Sequence, residues 1–422
     1  MSEDTAAAQQ LYRHWALDRD VTYLNHGSYG ATPWRVLHTQ SEWRARMERQ
    51  PVRFLSGELE GHLDRARARL GEFLGADPDD LAFVPNATTG VNTVLRSLDF
   101  HARDEILVTD HEYNACLNAA RAIAERAGGR AVVAQIPIPL DSPDEVLEAI
   151  LACAGPRTRL ALISHVSSST ALVFPIERIV DALAERGIDT LVDGAHAPGM
   201  LPVKVDALGA AYYTGNAHKW MCAPKGAGFL HVRRNRQDAI HPLVISHGAN
   251  SPRSDRSGFR LEFDWTGTAD PTAYLAIPAA LDFFAALLER GLTEAMEVNR
   301  QLVLIGRQKL LESIGTRPLA PDSMIGSMAA IEVPADFRPV VNEPAPDSPT
   351  DSTWPLDPLH DLLLNQHAIE VPVYAWPHTP SDGPRRRLLR ISAQLYNESA
   401  QYERLATVLS ELHASTDVLQ AT

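Results

Sequence analysis

The chain has 422 residues, 45% of them hydrophobic, so it is long enough to bury a large core and to fold as two closely packed domains. Its formal net charge of −14 argues against a nucleic-acid surface, which normally carries a basic stripe, and favours a small molecule as partner. No apolar run approaches the roughly 20 residues that cross a bilayer, and the N-terminus is polar, so a cytoplasmic protein without a membrane partner is expected.

Helical and strand-like patterns alternate in chain order over the first two thirds of the sequence. Helical periodicity covers 63–76, 114–128, 142–155 and 175–187, and short apolar runs typical of strands cover 105–110, 130–137, 159–166, 189–196 and 210–216. Apolar strands separated by helical crossovers predict an α/β fold with a mostly parallel sheet and helices on both faces. In such folds ligands collect at the carboxyl ends of the strands.

A proline-rich stretch, 333–358, interrupts this alternation and is predicted to be a surface excursion. A compact α+β unit follows, with helices over 357–367 and 398–415 and strands over 369–376 and 386–396. The predicted organisation is an N-terminal segment (1–20), a large domain (21–285) and a small C-terminal domain (286–422).

Lysine is a rare residue type here, since only four of the 39 lysines and arginines are lysines: Lys204, Lys219, Lys225 and Lys309. Lys309 lies in a helical run, Lys204 has no reactive neighbours, and Lys225 lies beside a tight turn. Lys219 follows the strand "AAYYTGN" directly, at the edge of the sheet where ligands bind. It is therefore the candidate nucleophile, although an exposed loop lysine is an equally simple interpretation of this residue alone.

Two further features lie at strand ends. Asp193 ends the buried strand in "TLVDGAHAPG", and a buried carboxylate is costly unless it has a partner, such as a protonated ring nitrogen. The stretch "FVPNATTGVNTVL" runs from a strand into a helix whose free amides and hydroxyls could bind an anion, although ordinary capping by Thr88 or Thr89 explains it too. A phosphate site, a carboxylate and a lysine together match the needs of pyridoxal 5'-phosphate.

The sequence resembles the class V aminotransferase family of fold-type I pyridoxal phosphate enzymes, in its isopenicillin N epimerase-like branch. The resemblance extends over nearly the whole chain. It rests on "YLNHGSYGATP", "FVPNATTGVNTVL", "DHEYNACLNA", "LVDGAHAPGM", "TGNAHKWMCAPKGAGFL", "WTGTADPTAYLAIPAAL" and "LLRISAQLYN". It implies a large domain with a mostly parallel sheet, a smaller C-terminal α+β domain, and a homodimer whose sites are completed across the interface.

The resemblance also implies roles for the residues around the cofactor. Lys219 would form the Schiff base and carry the substrate's α-proton, Asp193 would hold the ring nitrogen protonated, and His196 would lie near the 3-hydroxyl group. Further contacts would come from Ala87, Thr88 and His218 at the phosphate, from His111 or alternatively Tyr113 stacked on the ring, from Ser168, and from Thr268 at the phosphate of the neighbouring subunit. Ser168 stands where related desulfurases have an asparagine, which weakens the transfer of that role.

Arg390 would clamp the substrate carboxylate with its two-pronged guanidinium, and Asn25 and His26 would contact the substrate. The alternative for Arg390 is an ordinary ion pair. His26 and Tyr29 are candidates for a second proton donor on the far face of the ring, or for substrate contacts. No metal site is expected, because the three cysteines are odd in number and far apart.

The same cofactor supports several reactions, so the fold does not fix the activity. A persulfide-forming desulfurase needs a cysteine in its C-terminal half, and residues 223–422 contain none. The leading hypothesis is epimerase chemistry at the α-carbon of an amino acid or an amino-acid-bearing peptide. The alternatives are a C–S lyase acting on a cysteine conjugate, an aminotransferase, and a non-enzymatic binding protein on the same fold.

Overall fold

The computed structural model describes residues 11–335, 337, 357–378 and 385–420. Its strands within these ranges are β1 (Thr22–Tyr23), β2 (Leu81–Val84), β3 (Glu105–Thr109), β4 (Arg130–Ala134), β5 (Thr158–Ser164), β6 (Asp189–Gly194), β7 (Tyr212–Asn216), β8 (Gly228–Val232), β9 (Met328–Val333), β10 (Ile369–Glu370), β11 (Val373–Trp376) and β12 (Arg386–Ser392).

Helices connect most of these strands. In chain order they are α1 (His26–Tyr29), α2 (Trp34–Arg49), α3 (Pro51–Arg53), α4 (Leu59–Leu74), α5 (Ala87–Ser97), α6 (Asn114–Arg126), α7 (Asp144–Cys153), α8 (Ile176–Ala184), α9 (Val205–Leu208), α10 (Gly258–Phe263), α11 (Thr272–Leu275), α12 (Ile277–Leu287), α13 (Leu292–Ile314), α14 (Pro358–His367) and α15 (Ser399–Gln420). A π-helical turn, Phe54–Glu58, precedes α4.

The central sheet has seven strands in the order β2-β8-β7-β6-β5-β3-β4. Neighbouring strands are parallel except β8, which runs antiparallel to both β2 and β7. Successive strand residues alternate between two apolar clusters, for example Ile106 and Val108 in one and Leu107 in the other. Because helices cover both faces, the central strands are apolar along their whole length, as the sequence pattern predicts.

The C-terminal part contributes an antiparallel sheet in the order β11-β12-β9. The strand predicted over 369–376 is in fact two strands, β10 and β11, which belong to different sheets: β10 pairs in parallel with β1, and β11 with β12. Pro372 lies between them and cannot donate a ladder hydrogen bond. β9 was not predicted, and the predicted surface excursion lies largely outside the described residues.

The pairing of β1 with β10 brings the N-terminal segment against the C-terminal part of the chain. The predicted domain boundary at 285/286 falls inside α12, and the division into domains stays a prediction. No single described helix is long and apolar enough to cross a bilayer. By length and composition alone, the bent pair Thr272–Leu287 and Leu292–Ile314, which meet at 72°, would together satisfy that criterion.

Candidate active site

The side chain of Lys219 lies at the carboxyl edge of the central sheet, in the turn that follows β7. Its Nζ lies 3.0 Å from Nε2 of His196. Burial, and then the positive charge of Arg390, lower the pKa of the Lys219 amine to about 7. The amine is therefore about half neutral at pH 7. The residue is not fully buried, so it stays partly accessible.

The main chain of Lys219 is fixed from the N-terminal segment. Nε2 of His26 donates to the Lys219 carbonyl oxygen at 3.1 Å, and Nδ1 accepts from the Tyr396 hydroxyl at 2.8 Å. Gly30, with φ of +71°, lets the chain pass so close that a Cβ there would lie 2.3 Å from the carbonyl oxygen of His218. The segment "NHGSYG" thus supports the lysine turn from behind.

These contacts correct the role predicted for His26. The residue is fully buried, both ring nitrogens are engaged by protein groups, and burial lowers the pKa of the imidazole to about 3. A neutral ring held in this way is not free to donate a proton to a substrate or to contact one. The structure gives His26 a supporting role.

Asp193 is the penultimate residue of β6, which pairs directly with β7, and it is only 4% exposed. Its Oδ1 accepts from the amide of Ala195 at 2.9 Å, and its Oδ2 accepts from the thiol of Cys116 at 3.2 Å. Burial raises the pKa of the carboxyl, while these two donors and the charge of Lys219 lower it. A buried carboxylate with these neutral donors suits a protonated ring nitrogen as its remaining partner.

His196 links the lysine to the sheet. Its Nδ1 accepts from the indole N–H of Trp220 at 3.4 Å, which places the ring proton on Nε2, facing Lys219. Burial and the nearby cations hold the pKa of His196 well below its ordinary value, so the ring is neutral. It therefore presents an N–H donor to the cleft, as the predicted contact with a cofactor hydroxyl group requires.

The predicted phosphate site is at the N-terminus of α5. Asn86 caps the helix by accepting from the amide of Thr89 at 2.9 Å. The amide of Ala87 already donates to the side chain of Asn216 at 2.8 Å, so this structure does not offer it to an anion as predicted. Thr88 is half-buried at the helix terminus, where the backbone dipoles favour negative charge.

His218 also differs from its prediction. Its Nδ1 donates to the carbonyl oxygen of Ala227 at 3.0 Å, and burial lowers its pKa to about 4. In the neutral ring the other nitrogen carries a lone pair, which is unsuited to an anion. The ring must take up a proton before it can donate to a phosphate group.

His111 and Tyr113, the two candidates for stacking on the cofactor ring, differ in how deeply they are buried. His111 is buried with Nδ1 bonded to Thr170 at 2.7 Å, and its ring packs 4.6 Å from Trp376 and 5.6 Å from Phe174. Both ring contacts are tilted or edge-on, with interplanar angles of 64° to Trp376 and 54° to Phe174, so the choice between His111 and Tyr113 as the stacking residue stays a prediction. Tyr113, at the N-terminus of α6, is 45% exposed, and its pKa is raised by burial and then by neighbours that include Cys116 and Asp193. Tyr113 is therefore near Asp193 and partly open to solvent.

Arg390 is 1% exposed on β12 and reaches the same cleft. Nη1 donates to the Ser168 carbonyl oxygen at 2.6 Å, and Nη2 donates to the Ser28 hydroxyl at 3.0 Å, with the Asn25 side-chain oxygen at 3.5 Å. Its Nε has no partner, and the guanidinium lies 5.1 Å from the Tyr374 ring centre. All of these described partners are neutral, so the alternative of an ordinary ion pair is not observed.

Ser168 and Asn25 both contact the guanidinium of Arg390 and help to hold it in place. The Ser168 hydroxyl is 3.4 Å from Nη1 of Arg390, so this serine supports the arginine on one side. Asn25 donates to Glu370 at 2.7 Å and is otherwise enclosed, which makes it a second support. Sequence reasoning placed both near the ligand but did not identify this function.

Tyr29 and Thr268 are both exposed in the single chain. The side chain of Tyr29 is 70% exposed and lines a surface pocket with Tyr23, Asn25 and Glu370, and its predicted role as a proton donor stays a prediction. Thr268 lies on the surface between α10 and α11, and its predicted contact with a neighbouring subunit stays a prediction.

Four supporting residues were missed by sequence reasoning: Cys116, Trp220, Tyr396 and Asn216. Trp220 adjoins Lys219 and could have been suspected from that position, whereas the others carry no local signal. The described residues contain no group of three or more His, Cys, Asp or Glu side chains that could hold a metal ion.

The residues present fit pyridoxal phosphate in three respects: a partly neutral amine, a buried carboxylate that lacks a cationic hydrogen-bond partner, and a helix N-terminus.

Comparison with known proteins gives consistent results. The family model described as Aminotransferase class-V matches residues 23–334. The isopenicillin N epimerase of Amycolatopsis lactamdurans is 38% identical over 94% of this chain and 96% of its own length, and a probable chloroplastic L-cysteine desulfhydrase of Arabidopsis thaliana is 31% identical over 94% and 83%.

Solved structures share the fold. A C-DES mutant with glycine covalently linked to its PLP cofactor superimposes with a TM-score of 0.74 at 22% identity, covering 93% of this chain and 97% of its own. The apo cysteine desulfurase of Thermococcus onnurineus NA1 gives 0.77 at 19% identity, covering 96% and 98%.

Proposed function

The chain belongs to the class V aminotransferase family, and from that premise we propose that it binds pyridoxal phosphate and transforms an amino acid at its α-carbon. The comparisons confirm four predictions made from the sequence: the family, the fold class, the cofactor, and an enzyme with isomerase or lyase chemistry. The observation that carries the proposal is the buried guanidinium of Arg390, which has no carboxylate partner among the described residues and is close enough to lower the pKa of Lys219.

Each group in the cleft has a place in this proposal. When bound, pyridoxal phosphate supplies an electron sink for a negative charge at the substrate's α-carbon. Asp193 would accept a hydrogen bond from its protonated ring nitrogen, the Nε2–H of His196 would donate to its ring oxygen, and Tyr113 or His111 would cover one ring face. Thr88 and the terminus of α5 would hold the phosphate group.

Arg390 orients the substrate by donating hydrogen bonds from its guanidinium to the α-carboxylate, with Ser28 and Ser168 holding the guanidinium in place. Lys219 then lies beside the α-carbon and moves the proton, since an amine with a pKa of about 7 is both a competent base and, after protonation, a competent acid. The first tests are Lys219→Ala, which should abolish the visible band of lysine-bound cofactor, and Asp193→Asn, which should keep the cofactor and lose most turnover.

We propose epimerisation as the first candidate reaction, because the relative at 38% identity over nearly the full length is an isopenicillin N epimerase. With a true substrate in deuterated water, an epimerase incorporates deuterium at the α-carbon of the inverted product and releases neither keto acid nor thiol. Stoichiometric release of a sulfur fragment without any inverted product would reject this candidate.

C–S lyase chemistry is the second candidate, and one structural observation favours it. An epimerase needs a proton donor on each face of the substrate, whereas a lyase needs only one base. In the described part of the chain Lys219 is the available base, while His26 is fully engaged and Tyr29 lies at the surface. The deuterium experiment separates the two, because a lyase would yield keto acid and a released thiol or persulfide.

A homodimer is also proposed. Support comes from the apolar stretch Leu243, Val244 and Ile245, whose side chains are 45%, 58% and 73% exposed in the single chain, and from the surface position of Thr268. Sedimentation of the purified protein should give twice the chain mass. Ile245→Asp should dissociate the dimer and release cofactor, and a monomer with full cofactor occupancy would contradict shared sites.

A further inference from the structure

The thiol of Cys116 makes a directed contact with the carboxylate of Asp193. Cys116 lies in α6 and is 0% exposed, and its sulfur is 3.2 Å from Oδ2 of Asp193. Burial raises the pKa of the thiol well above its ordinary value, as do the neighbouring carboxylates. The group therefore keeps its hydrogen and can act only as a donor toward the carboxylate.

Few other groups stabilise the ionised carboxylate of Asp193, so the contribution of the Cys116 thiol is important. Among the described residues, its hydrogen bonds come from the Cys116 thiol and the Ala195 amide, and the nearest cation is Lys219. The amine of Lys219 ceases to be a free cation once it carries the cofactor. Of the described protein groups, the amide and the thiol are then the two donors that hold the carboxylate in place for the cofactor's ring nitrogen.

A second buried carboxyl beside Asp193 is kept neutral. Both oxygens of Glu112 are engaged: Oε1 accepts from the Thr109 hydroxyl at 2.9 Å, and Oε2 and the Ser164 hydroxyl share a hydrogen bond of 2.5 Å. Burial raises the pKa of Glu112 to about 8, so no second negative charge lies next to Asp193 at neutral pH. The remaining titratable groups facing Asp193 are the phenols of Tyr113 and Tyr213, which are also neutral there.

We propose that Cys116 is a positioning residue of the reaction: its S–H group fixes Oδ2 of Asp193 and keeps that carboxylate ionised as the partner of the cofactor's ring nitrogen. The proposal rests on the function proposed above. A buried thiol in an apolar cluster could serve only to fill space, and Cys116 does pack among Val91, Leu117 and Ala120. Space filling requires no donor, however, so replacement of the S–H group separates the two roles.

The first measurement uses the S–H stretching band in the infrared spectrum, which is directly sensitive to hydrogen bonding. The difference spectrum between the natural protein and Cys116→Ser isolates the Cys116 band. We expect it at lower frequency than the band of Cys153, which ends α7 away from the cleft, and we expect it to move upward in Asp193→Asn. A Cys116 band that does not respond to Asp193→Asn would overturn the proposal. This test needs no substrate or bound cofactor.

The second measurement uses the loaded enzyme. Cys116→Ala should lower kcat by about tenfold with KM within twofold, and should shift the pH titration of the visible band, because a hydrogen bond to a charged group is lost. Cys116→Ser, which keeps a donor, should stay within about threefold of the natural enzyme, and the control Cys153→Ala should be unchanged. In the Asp193→Asn background, Cys116→Ala should have little further effect.

The outcomes separate this inference from the proposed function. If the natural protein binds no cofactor, the proposed function fails, while the infrared measurement still decides whether the thiol contact exists. If the cofactor binds and Cys116→Ala behaves like the natural enzyme, or Cys116→Ser is as impaired as Cys116→Ala, the positioning role is refuted. Should Cys116→Ala fail to fold, Cys116→Ser and the infrared band still decide.

Discussion

Replacing Arg390 by lysine tests the proposed substrate clamp. The guanidinium offers a carboxylate two parallel donors, whereas an ammonium offers a single point of contact and cannot also reach both Ser168 and Ser28. Loss of one charge-assisted hydrogen bond costs about 1.5–3 kcal/mol, which corresponds to roughly a ten- to hundredfold weaker apparent affinity for an amino acid. The cofactor itself should remain bound, since Arg390 is not placed among its ligands.

The assay is titration of the cofactor's visible band with an amino-acid substrate and with the matching amine that lacks the α-carboxylate. The natural enzyme should bind the amino acid far more tightly than the amine, and Arg390→Lys should abolish most of that difference. Arg386→Lys is the matched control, because Arg386 lies on the same strand but is ion-paired with Glu332 at 3.0 Å. If Arg390→Lys preserves the preference for the carboxylate, the clamp assignment is wrong.

Three further predictions concern the lysine, the ring face and the supporting histidine. Because the pKa of Lys219 is about 7, below its ordinary value, its amine is mostly protonated at pH 6 and mostly neutral at pH 8. The rate at which cofactor-free protein binds the cofactor, measured by stopped-flow absorbance, should therefore rise about tenfold from pH 6 to pH 8. A rate that does not change with pH would contradict the lowered pKa. Tyr113→Ala should weaken equilibrium cofactor binding by about tenfold, whereas His111→Gln should leave it within twofold, and the reverse order would restore His111 as the stacking residue. His26→Phe should lower the free energy of unfolding in urea by about 2–4 kcal/mol, because the Tyr396 hydroxyl and the Lys219 carbonyl oxygen lose their buried partner. Tyr29→Phe should change that free energy by less than about 0.5 kcal/mol, since Tyr29 is exposed. Equal effects of the two substitutions would refute the supporting role of His26.

The sequence by itself determined the alternation of strands and helices and the residues at the strand ends. Apolar runs separated by amphipathic stretches specify a covered parallel sheet, since each element must bury its apolar face against another. Lys219 and Asp193 follow such runs directly, so their positions at one edge of the sheet follow from strand order and direction. Arg390 could be placed on a strand in the same way, but the residues that contact its guanidinium could not be identified from the sequence.

The tertiary structure decided what each of these side chains contacts. His26 and Tyr396 are 370 positions apart, Ala87 and Asn216 are 129 apart, and His111 and Thr170 are 59 apart. No local pattern encodes contacts of this kind, because each depends on how distant elements pack. Packing therefore engages the His26 ring and the Ala87 amide, and within the described part of the chain it gives the guanidinium of Arg390 only neutral partners.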